Sequence, residues 1–274
     1  INVPIVTNRG HHINIQIVTD PVENHLSNLF YPRMTRPGRH IEKCPAPHIC
    51  LLSHNHWDHF DPKTLKKLLK FQPVIIAPHG DGSKFRSLGF LHVYEHGWWE
   101  KIHIPIQVGD DDQAEISIST VPTRHWSGQW IFDAHISYFL GFIIHTQQGD
   151  IYFAGDTARL SEDHLDKMRE FNIVSMFQPG GPDEYRAEMQ STHQSTADAL
   201  WMHFHLLLEE FYHKGFYLNQ TREKFIEDTK LRRTVFMHTK AYKLGNVHFD
   251  DTDQSIRNIL DALQTGSTAH LKPH

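Results

Sequence analysis

Three histidines and an aspartate stand within six residues of this 274-residue chain, in the segment His54-Asn55-His56-Trp57-Asp58-His59. The segment follows a short apolar run at residues 49–53 and precedes Pro62, where a helical pattern begins that covers residues 63–71. Such an apolar run is typical of a buried strand, and proline favours the first turn of a helix. The cluster is therefore predicted to lie in a loop at the end of a buried strand.

A metal ion explains why imidazoles and carboxylates are crowded in this loop. Histidine nitrogens and aspartate oxygens are good ligands for Zn²⁺. From a strand-end loop, His54 and His56 can point to one side, whereas Asp58 and His59 reach a second position. The spacing therefore favours two metal ions over one. The alternative is a loop without metal in a chain that is rich in histidine throughout, with 24 in all.

Four ligands cannot fill two metal shells, so other strand ends must supply the rest. His125 follows an alternating pattern at residues 116–121 that is typical of a strand. Asp156 follows the apolar run 151–154, with Gly155 allowing a tight turn between them. His238 ends the apolar run 235–237. Each candidate lies where a strand is predicted to end, as functional loops on a rigid sheet do.

The rest of the pattern predicts one α/β domain, residues 1–274, with two sheets and helices outside them. Further strands are predicted at residues 13–18, 74–77, 136–146 and 173–177, and the run 136–146 forms a hairpin with 151–154. Helices are predicted at residues 63–71, 163–171, 195–213, 221–228 and 255–263. In the helix 195–213, the stripe Leu200, Trp201, Phe204, Leu207, Leu208 and Phe211 favours a core-facing helix over a membrane-surface or dimer-forming one.

Composition excludes several classes of protein. The chain has 27 Lys and Arg against 32 Asp and Glu, and a net charge of −5 argues against nucleic acid as a partner. No run of 18 uncharged apolar residues occurs, which excludes a transmembrane helix. Two cysteines make no disulfide framework, and Cys50 is predicted to be buried. We expect a cytoplasmic location, with peripheral membrane contact and a homodimer left open. Because the sequence begins at Ile1 and not at Met, a leader that was removed or that lies outside the sequence is also left open.

The motifs taken in order resemble the metallo-β-lactamase superfamily: HxHxDH, a lone histidine, Gly-Asp-Thr and a late histidine after a strand. The segment at residues 52–61, which we name the metal loop, is most similar to the corresponding loop of the N-acylphosphatidylethanolamine-hydrolysing phospholipases D. The segments Thr19-Asp20-Pro21, Trp98-Trp99-Glu100 and His125-Trp126-Ser127 also resemble that branch. The similarity covers about residues 18–264.

This resemblance implies a four-layer αββα sandwich with two zinc ions, although iron or manganese also suits such ligands. Asp156 and a hydroxide are implied to bridge the two metals. The remaining ligands are divided between the first metal (His54, His56 and His125) and the second (Asp58, His59 and His238). Asp20 is implied to support the metal loop, and a turn residue before Pro21 is the alternative.

The implied activity is hydrolysis of a phosphodiester by the bridging hydroxide, on lipids of the N-acylphosphatidylethanolamine type. Two zinc ions, two carboxylates and one hydroxide leave a net charge of about +1, which suits a phosphate group. We predict Asp58, Asp156 and His193 as catalytic residues. His193 would orient the substrate or transfer a proton, and a helix-entry histidine without chemistry is the alternative.

Two other functions remain open, a lactonase or thioester hydrolase of the same fold and a metal-bound interaction protein without catalysis. The residues after His193 and His238 depart from the branch, which concerns the substrate and not the metals. His193 is followed by Gln-Ser-Thr-Ala where the branch has Pro-Glu-Glu-Ala. Trp98 and Trp99 are predicted to be core residues. An acyl groove lined by Trp126, Trp130 and Phe132 is left open.

Overall fold

The computed structural model describes residues 1–24, 32–130, 132–183, 186–207 and 232–238. Within these ranges the chain forms two β-sheets. The first consists of β1 (Asn2–Val6), β2 (His12–Thr19), β3 (Ile49–Leu51), β4 (Val74–Pro78) and β5 (Val93–His96), side by side in that order. The second consists of β6 (Lys101–Val108), β7 (Asp112–Pro122), β8 (Leu140–Ile144), β9 (Asp150–Phe153), β10 (Ile173–Pro179) and β11 (Arg233–Met237), also neighbours in sequence order.

Five described helices accompany the sheets: α1 (Pro62–Lys66), α2 (Gly82–Leu88), α3 (Glu162–Met168), α4 (Arg186–Met189) and α5 (Thr196–Leu207). Short 3₁₀ turns occupy Ile41–Lys43 and Leu69–Phe71. Helix α1 begins where the sequence predicts, because Pro62 stands in its first turn and the Asp61 carboxylate accepts the Lys63 N–H. Among the described residues, no helix has the length and hydropathy that crossing a bilayer requires.

Three hydrophobic clusters arrange these elements in four layers. The central cluster joins the inner faces of the sheets, with Ile15 and Leu51 from the first and Ile118 and Phe142 from the second. A second cluster packs α1 and α2 on the first sheet, and a third packs α3 and α5 on the second. The predicted αββα sandwich is confirmed.

The direction of the strands gathers their carboxyl ends at one edge of each sheet. Strands β2 to β5 run parallel to one another, and β9, β10 and β11 do the same in the second sheet. Strand β7 shares the direction of β9, since both are antiparallel to β8. The two edges meet at Gly155, where a Cβ atom would lie 2.4 Å from the Ser53 Cβ. Loops after strands of both sheets can therefore build one site.

Most predicted elements that fall on described residues are confirmed, with three corrections. The strand predicted at residues 136–146 begins only at Leu140, and Ile136 is 66% exposed in a loop. The helix predicted at 63–71 ends at Lys66, and a 3₁₀ turn follows at Leu69–Phe71. Helix α5 does face the core: of the predicted stripe, Leu207 is buried and Trp201 and Phe204 pack against the same cluster, but Ala199, Met202 and Leu206 are buried as well. Leu208 and Phe211 and the helices predicted at 221–228 and 255–263 lie outside the described residues, and β1, β5, β6, α2 and α4 were not predicted.

The contact between Gly155 and Ser53 predicts that Gly155→Ala destabilises the fold. Gly155 has φ +60°, and the added methyl group would overlap the Ser53 side chain, whereas Gly109 has φ +70° with open space around it. Gly109→Ala is therefore the matched control for the backbone strain alone. We expect Gly155→Ala to lose about 1–3 kcal/mol more free energy of unfolding than the control, measured by urea denaturation. Equal losses would contradict close packing at this contact.

Candidate metal centre

Loops at the carboxyl ends of five strands supply the side chains of the centre. Asp20 follows β2 directly, and the segment from His54 to His59 follows β3. His125 follows β7, Asp156 follows β9 and His238 follows β11 directly, with φ +57°. All seven predicted ligands lie in two adjoining groups whose ligand atoms are within 4.8 Å of one another in each: His54, His56 and His125, and Asp58, His59, Asp156 and His238.

Three imidazole nitrogens of the first group converge on one point. The His56 Nδ1 lies 2.9 Å from the His54 Nε2 and 3.1 Å from the His125 Nε2. The outer nitrogens of the other two rings have their own partners. The His125 Nδ1 donates to the Thr192 carbonyl at 2.9 Å, which leaves the lone pair of its Nε2 directed inward. The site thus presents ring nitrogens in the form that a metal requires.

The second group brings two carboxylates against two imidazoles. The Asp156 Oδ2 lies 3.2 Å from the His59 Nε2 and 3.1 Å from the His238 Nε2. The Asp58 Oδ2 lies 3.2 Å from the same nitrogen of His238. Asp156 also reaches the first group, with its Oδ2 3.9 Å from the His125 Nε2. This carboxylate therefore lies between the two groups, as a bridging ligand would.

Asp20 fixes the orientation of both groups from behind. Its Oδ1 accepts the Ser53 backbone N–H at 2.8 Å, and its Oδ2 accepts the Ser53 hydroxyl at 2.6 Å and the His59 Nδ1–H at 2.8 Å. Because the Ser53 hydroxyl donates to Asp20, its oxygen accepts the His54 Nδ1–H at 2.9 Å. One carboxylate thus sets the tautomers of two rings and directs both Nε2 atoms inward. Of the two interpretations of Asp20, the structure favours the supporting role.

Burial keeps the first group neutral. It lowers the pKa of His54 well below the usual value, lowers that of His56 to about 4 and lowers that of His125 to about 3. Neighbouring histidines lower all three pKa values further, while Asp156 opposes the shift. Neutral imidazoles are the form that binds metal.

The second group, Asp58, His59, Asp156 and His238, contains two carboxylates whose negative charge must be balanced. Burial disfavours a proton on His59, yet Asp156 and Asp58 outweigh burial and raise its pKa. The same carboxylates raise the pKa of His238 against burial. In turn, burial alone would raise the pKa values of Asp58 and Asp156, but the facing histidines hold both below the usual value. The half-buried Asp58 and the buried Asp156 have ligand atoms within 4.8 Å of each other, and two carboxylates at this distance require cations, whether protons or metal ions.

The donor set fits divalent metal ions. Among the described residues, the buried Asp156 Oδ1 has no hydrogen-bond partner, although Asp156 is the predicted bridging ligand. An unpaired buried polar atom is costly unless something outside the protein chain occupies its position. Nitrogen and oxygen donors of this kind suit zinc, and also iron or manganese.

His193 lies beside the metal ligands, on the loop that precedes α5. Its ring centroid is 4.9 Å from that of His125 and 5.6 Å from that of His238, and its Nδ1 lies 3.9 Å from the Asp156 Oδ2. Buried Gln194 holds this loop, since its amide donates to the Gln178 Oε1 and to the Pro179 carbonyl. The departure from the branch after His193 therefore places a structural glutamine where the branch has proline.

Sequence reasoning missed two features near the centre. Asn55 stands between two ligands, but its side chain is fully buried and points to Asp81. A buried amide side chain needs hydrogen-bond partners, but no pattern in the sequence around Asn55 indicates which residues they are. The prediction that Trp98 is a core residue is wrong, since it is 37% exposed and donates to the Phe139 carbonyl. Trp99 does pack against the outer cluster of the second sheet.

The fold and the two groups define a class of protein, and comparison with known proteins agrees. Residues 16–239 match the family model described as the beta-lactamase superfamily domain, and the chain belongs to this family. A solved structure, a possible metal-dependent hydrolase from Veillonella parvula, has the same fold with a TM-score of 0.56. It is 13% identical, over 94% of this chain and 89% of that one. The predicted metallo-β-lactamase fold is confirmed.

Two curated relatives belong to the branch that the motifs resemble. The mitochondrial N-acyl-phosphatidylethanolamine-hydrolyzing phospholipase D of Saccharomyces cerevisiae is 33% identical over 154 residues, which are 54% of this chain and 32% of that protein. The N-acyl-phosphatidylethanolamine-hydrolyzing phospholipase D 1 of Caenorhabditis elegans is 24% identical over 203 residues, 69% of this chain and 55% of that one. The aligned regions span about a third and about half of these relatives. The predicted similarity to this branch is confirmed.

The position of Asp20 predicts that Asp20→Asn weakens metal binding without removing a ligand. An asparagine cannot accept from both Ser53 and His59 as the carboxylate does, so the two rings lose their fixed orientation. We expect zinc affinity to fall about 10- to 100-fold, measured by competition with a chromogenic chelator.

Asp112→Asn is the matched control for this experiment. The Asp112 carboxylate likewise accepts from a hydroxyl, an imidazole and a backbone N–H, those of Thr7, His11 and Arg9, but it stands at the opposite end of β7. The zinc affinity of the Asp112→Asn variant should equal that of the wild type. An equal loss in both variants would show that Asp20 acts through stability alone.

Proposed function

We propose that this chain is a dinuclear zinc hydrolase of the phospholipase D type, which cleaves a phosphodiester in lipids related to N-acylphosphatidylethanolamine. The observation that carries the proposal is the pair of adjoining donor groups around Asp156. Relatives named for this activity, in yeast and in the nematode, support the choice of substrate class. A small-molecule or lipid substrate follows from the same relatives.

The seven side chains of the two groups would divide the two metals between them. His54, His56 and His125 would hold one, and Asp58, His59 and His238 the other, with Asp156 between them. Two ions held in this way would lower the pKa of a bound water and would polarise the scissile bond. The chain's own contribution is orientation, because Asp20, Thr192 and the buried loop residues fix each ring before substrate arrives.

The charge of the centre favours an anionic substrate group less strongly than the ligand count alone indicates. Counting only the metals, two carboxylates and a hydroxide gives about +1, as the sequence predicts. The structure adds the Asp20 carboxylate, which lies 2.8 Å from the His59 Nδ1 and offsets part of that charge. Selection of a phosphodiester therefore also depends on the residues around the opening of the centre.

His193 is the proposed positioning group for the substrate. It lies beside the rings of His125 and His238, and it can also form a third donor group with His125 and Asp156. A side chain next to both proposed metal positions is placed to donate a hydrogen bond to a group bound there. Counting the bound zinc ions in a His193 variant separates the positioning role from a ligand role.

Asp156→Ala is expected to abolish turnover without unfolding the chain. The test is a panel of N-acylphosphatidylethanolamine, a long-chain lactone and a thioester, offered to protein whose zinc content has been measured. The wild type should release phosphatidic acid and the variant should not, with unchanged circular dichroism. Opening of the lactone alone would assign the chain to lactonases. Zinc binding with no turnover on any substrate would indicate a non-catalytic metal protein.

His193→Ala is expected to lower kcat about 10-fold or more while both zinc ions stay bound, because the ring orients substrate and does not hold the metal. His103→Ala is the control, since this exposed histidine lies on the edge strand β6 and contacts Glu115. Zinc is counted by mass spectrometry of the native protein. Loss of one zinc in the His193 variant would make His193 a ligand instead.

A further inference from the structure

A loop beside the metal centre exposes several large apolar side chains. We name residues 126–130 and 132–138 the aromatic loop. Phe132 is 80% exposed, Ile136 is 66% exposed and Trp130 is 52% exposed, whereas Ser127 and Ser137, near the two ends of the loop, are buried. Apolar groups gathered in this way on a protein surface mark a binding function more often than single exposed residues do.

The aromatic loop is continuous with the metal loop. The Trp126 ring lies 4.2 Å from the ring of the predicted ligand His56, centroid to centroid. Trp57, which stands between His56 and Asp58, donates its indole N–H to the Gln129 carbonyl at 2.9 Å and packs against Trp130. Trp130 in turn stacks with Phe132. Aromatic rings therefore border the metal loop in two places: Trp126 lies against His56, and Trp57 leads through Trp130 to Phe132 at the exposed tip.

This loop is held rigidly at its base. The His135 N–H donates to the Ser127 carbonyl at 2.7 Å, and the Ser127 hydroxyl donates to the Ser137 carbonyl. The Asp133 carboxylate accepts the N–H groups of Gln129 and Trp130 at 2.9 and 2.6 Å. The exposed rings are thus fixed in place before any ligand binds, which lowers the entropy cost of binding.

A buried carboxylate joins this base to the metal loop. Asp81 is 0% exposed, and its Oδ1 accepts from the Asn55 amide at 2.8 Å, the Ser137 hydroxyl at 2.9 Å and the Lys84 ammonium at 2.7 Å. The Asn55 Oδ1 accepts the Gly128 N–H at 2.6 Å. The metal loop and both ends of the aromatic loop therefore share one network, which needs a charged acceptor at its centre.

We propose that Asp81 is a positioning residue that holds the aromatic loop in register with the metal centre, and that this loop binds the apolar chain of the substrate. The occupant is an alkyl or acyl chain attached to the group that reacts at the metals. Its attachment follows from the position of the loop, because Trp126 lies against His56 and Trp130 packs on Trp57, which stands between two predicted ligands. A chain bound along the loop therefore ends beside the predicted ligands. The inference deepens the proposed function and rests on it only for the identity of the reacting group.

A pair of ligands tests the proposal without any turnover. Dodecylphosphonate, used below its critical micelle concentration, and methylphosphonate share a phosphonate group, whose P–C bond is not hydrolysed, and differ only in the length of the chain. By calorimetry, the zinc-loaded wild type should bind the first at least 10-fold more tightly than the second. Phe132→Ser and Asp81→Asn should each remove most of that difference, and the affinity for methylphosphonate should stay within about twofold.

Glu95→Gln is the matched control. The Glu95 carboxylate accepts the N–H groups of Gly80 and Gly82, so it holds the same turn as Asp81, but no hydrogen bond joins it to Asn55 or Ser137 among the described residues. It should keep the preference for the chain. If Asp81→Asn does not fold, Ser137→Ala and Phe132→Ser carry the test. Equal effects of Asp81→Asn and Glu95→Gln, or a wild type that does not distinguish the two ligands, would overturn the proposal.

Kinetics then separates positioning from stability. On a long-chain phospholipid, Asp81→Asn should raise KM about 10-fold with kcat within twofold, while hydrolysis of the short substrate bis(p-nitrophenyl) phosphate stays unchanged. Equal loss on both substrates would show a merely structural role. A wild type that cleaves neither phosphodiester would refute the proposed function, and the calorimetric comparison would still decide the role of Asp81.

Discussion

The candidate metal centre depends on the electrostatic repulsion among its carboxylates and nitrogen lone pairs, which the protein chain alone does not balance. Two carboxylates and inward-facing ring nitrogens are buried together where the edges of two sheets meet, within hydrogen-bond distance or slightly more of one another. Such groups separate or take up protons unless cations lie between them. The surrounding structure prevents separation, because Asp20, Thr192 and the Gly155–Ser53 contact fix the loops. The direction of the strands, the length of the loops and the buried hydrogen-bond network together hold these groups in place.

Asp20 and Asp81 each accept hydrogen bonds behind the centre, but they hold different parts of it. Asp20 sets ring tautomers and so acts on the chemistry of His54 and His59 directly. The Asp81 network touches no predicted ligand side chain and instead ties Asn55 to the loop that borders the opening. The residues predicted to affect metal affinity and those proposed to position the substrate are therefore separate, which would allow one set to change while the other is kept.

Sequence predicts those parts of the fold and site that depend on short-range order. The metal loop, the turn at Gly155 and the strand before His238 each carry a local pattern, and the structure brings their residues together. Patterns in the sequence could not predict β1, β5 or β6, because the formation of these strands depends on the strands with which they pair. Nor could they find Asp81, because an aspartate before a short helix has an ordinary role as a turn residue until Asn55 is seen to lie against it. The prediction for Trp98 was wrong for the same reason, because the exposure of a side chain depends on the residues that pack around it in space.

The contact between Asp58 and His238 joins residues 180 positions apart. A ribosome makes the chain from its amino end, so His54, His56, Asp58 and His59 emerge long before β11 can pair with β10. The early loop alone offers four of the seven side chains of the two groups, which is an incomplete set for the proposed metals. The second of the two proposed metal positions is complete only after β11 has brought His238 into place. The order of these side chains along the chain thus places completion of the proposed centre after β11 has paired with β10, when the surrounding fold is able to select the ion.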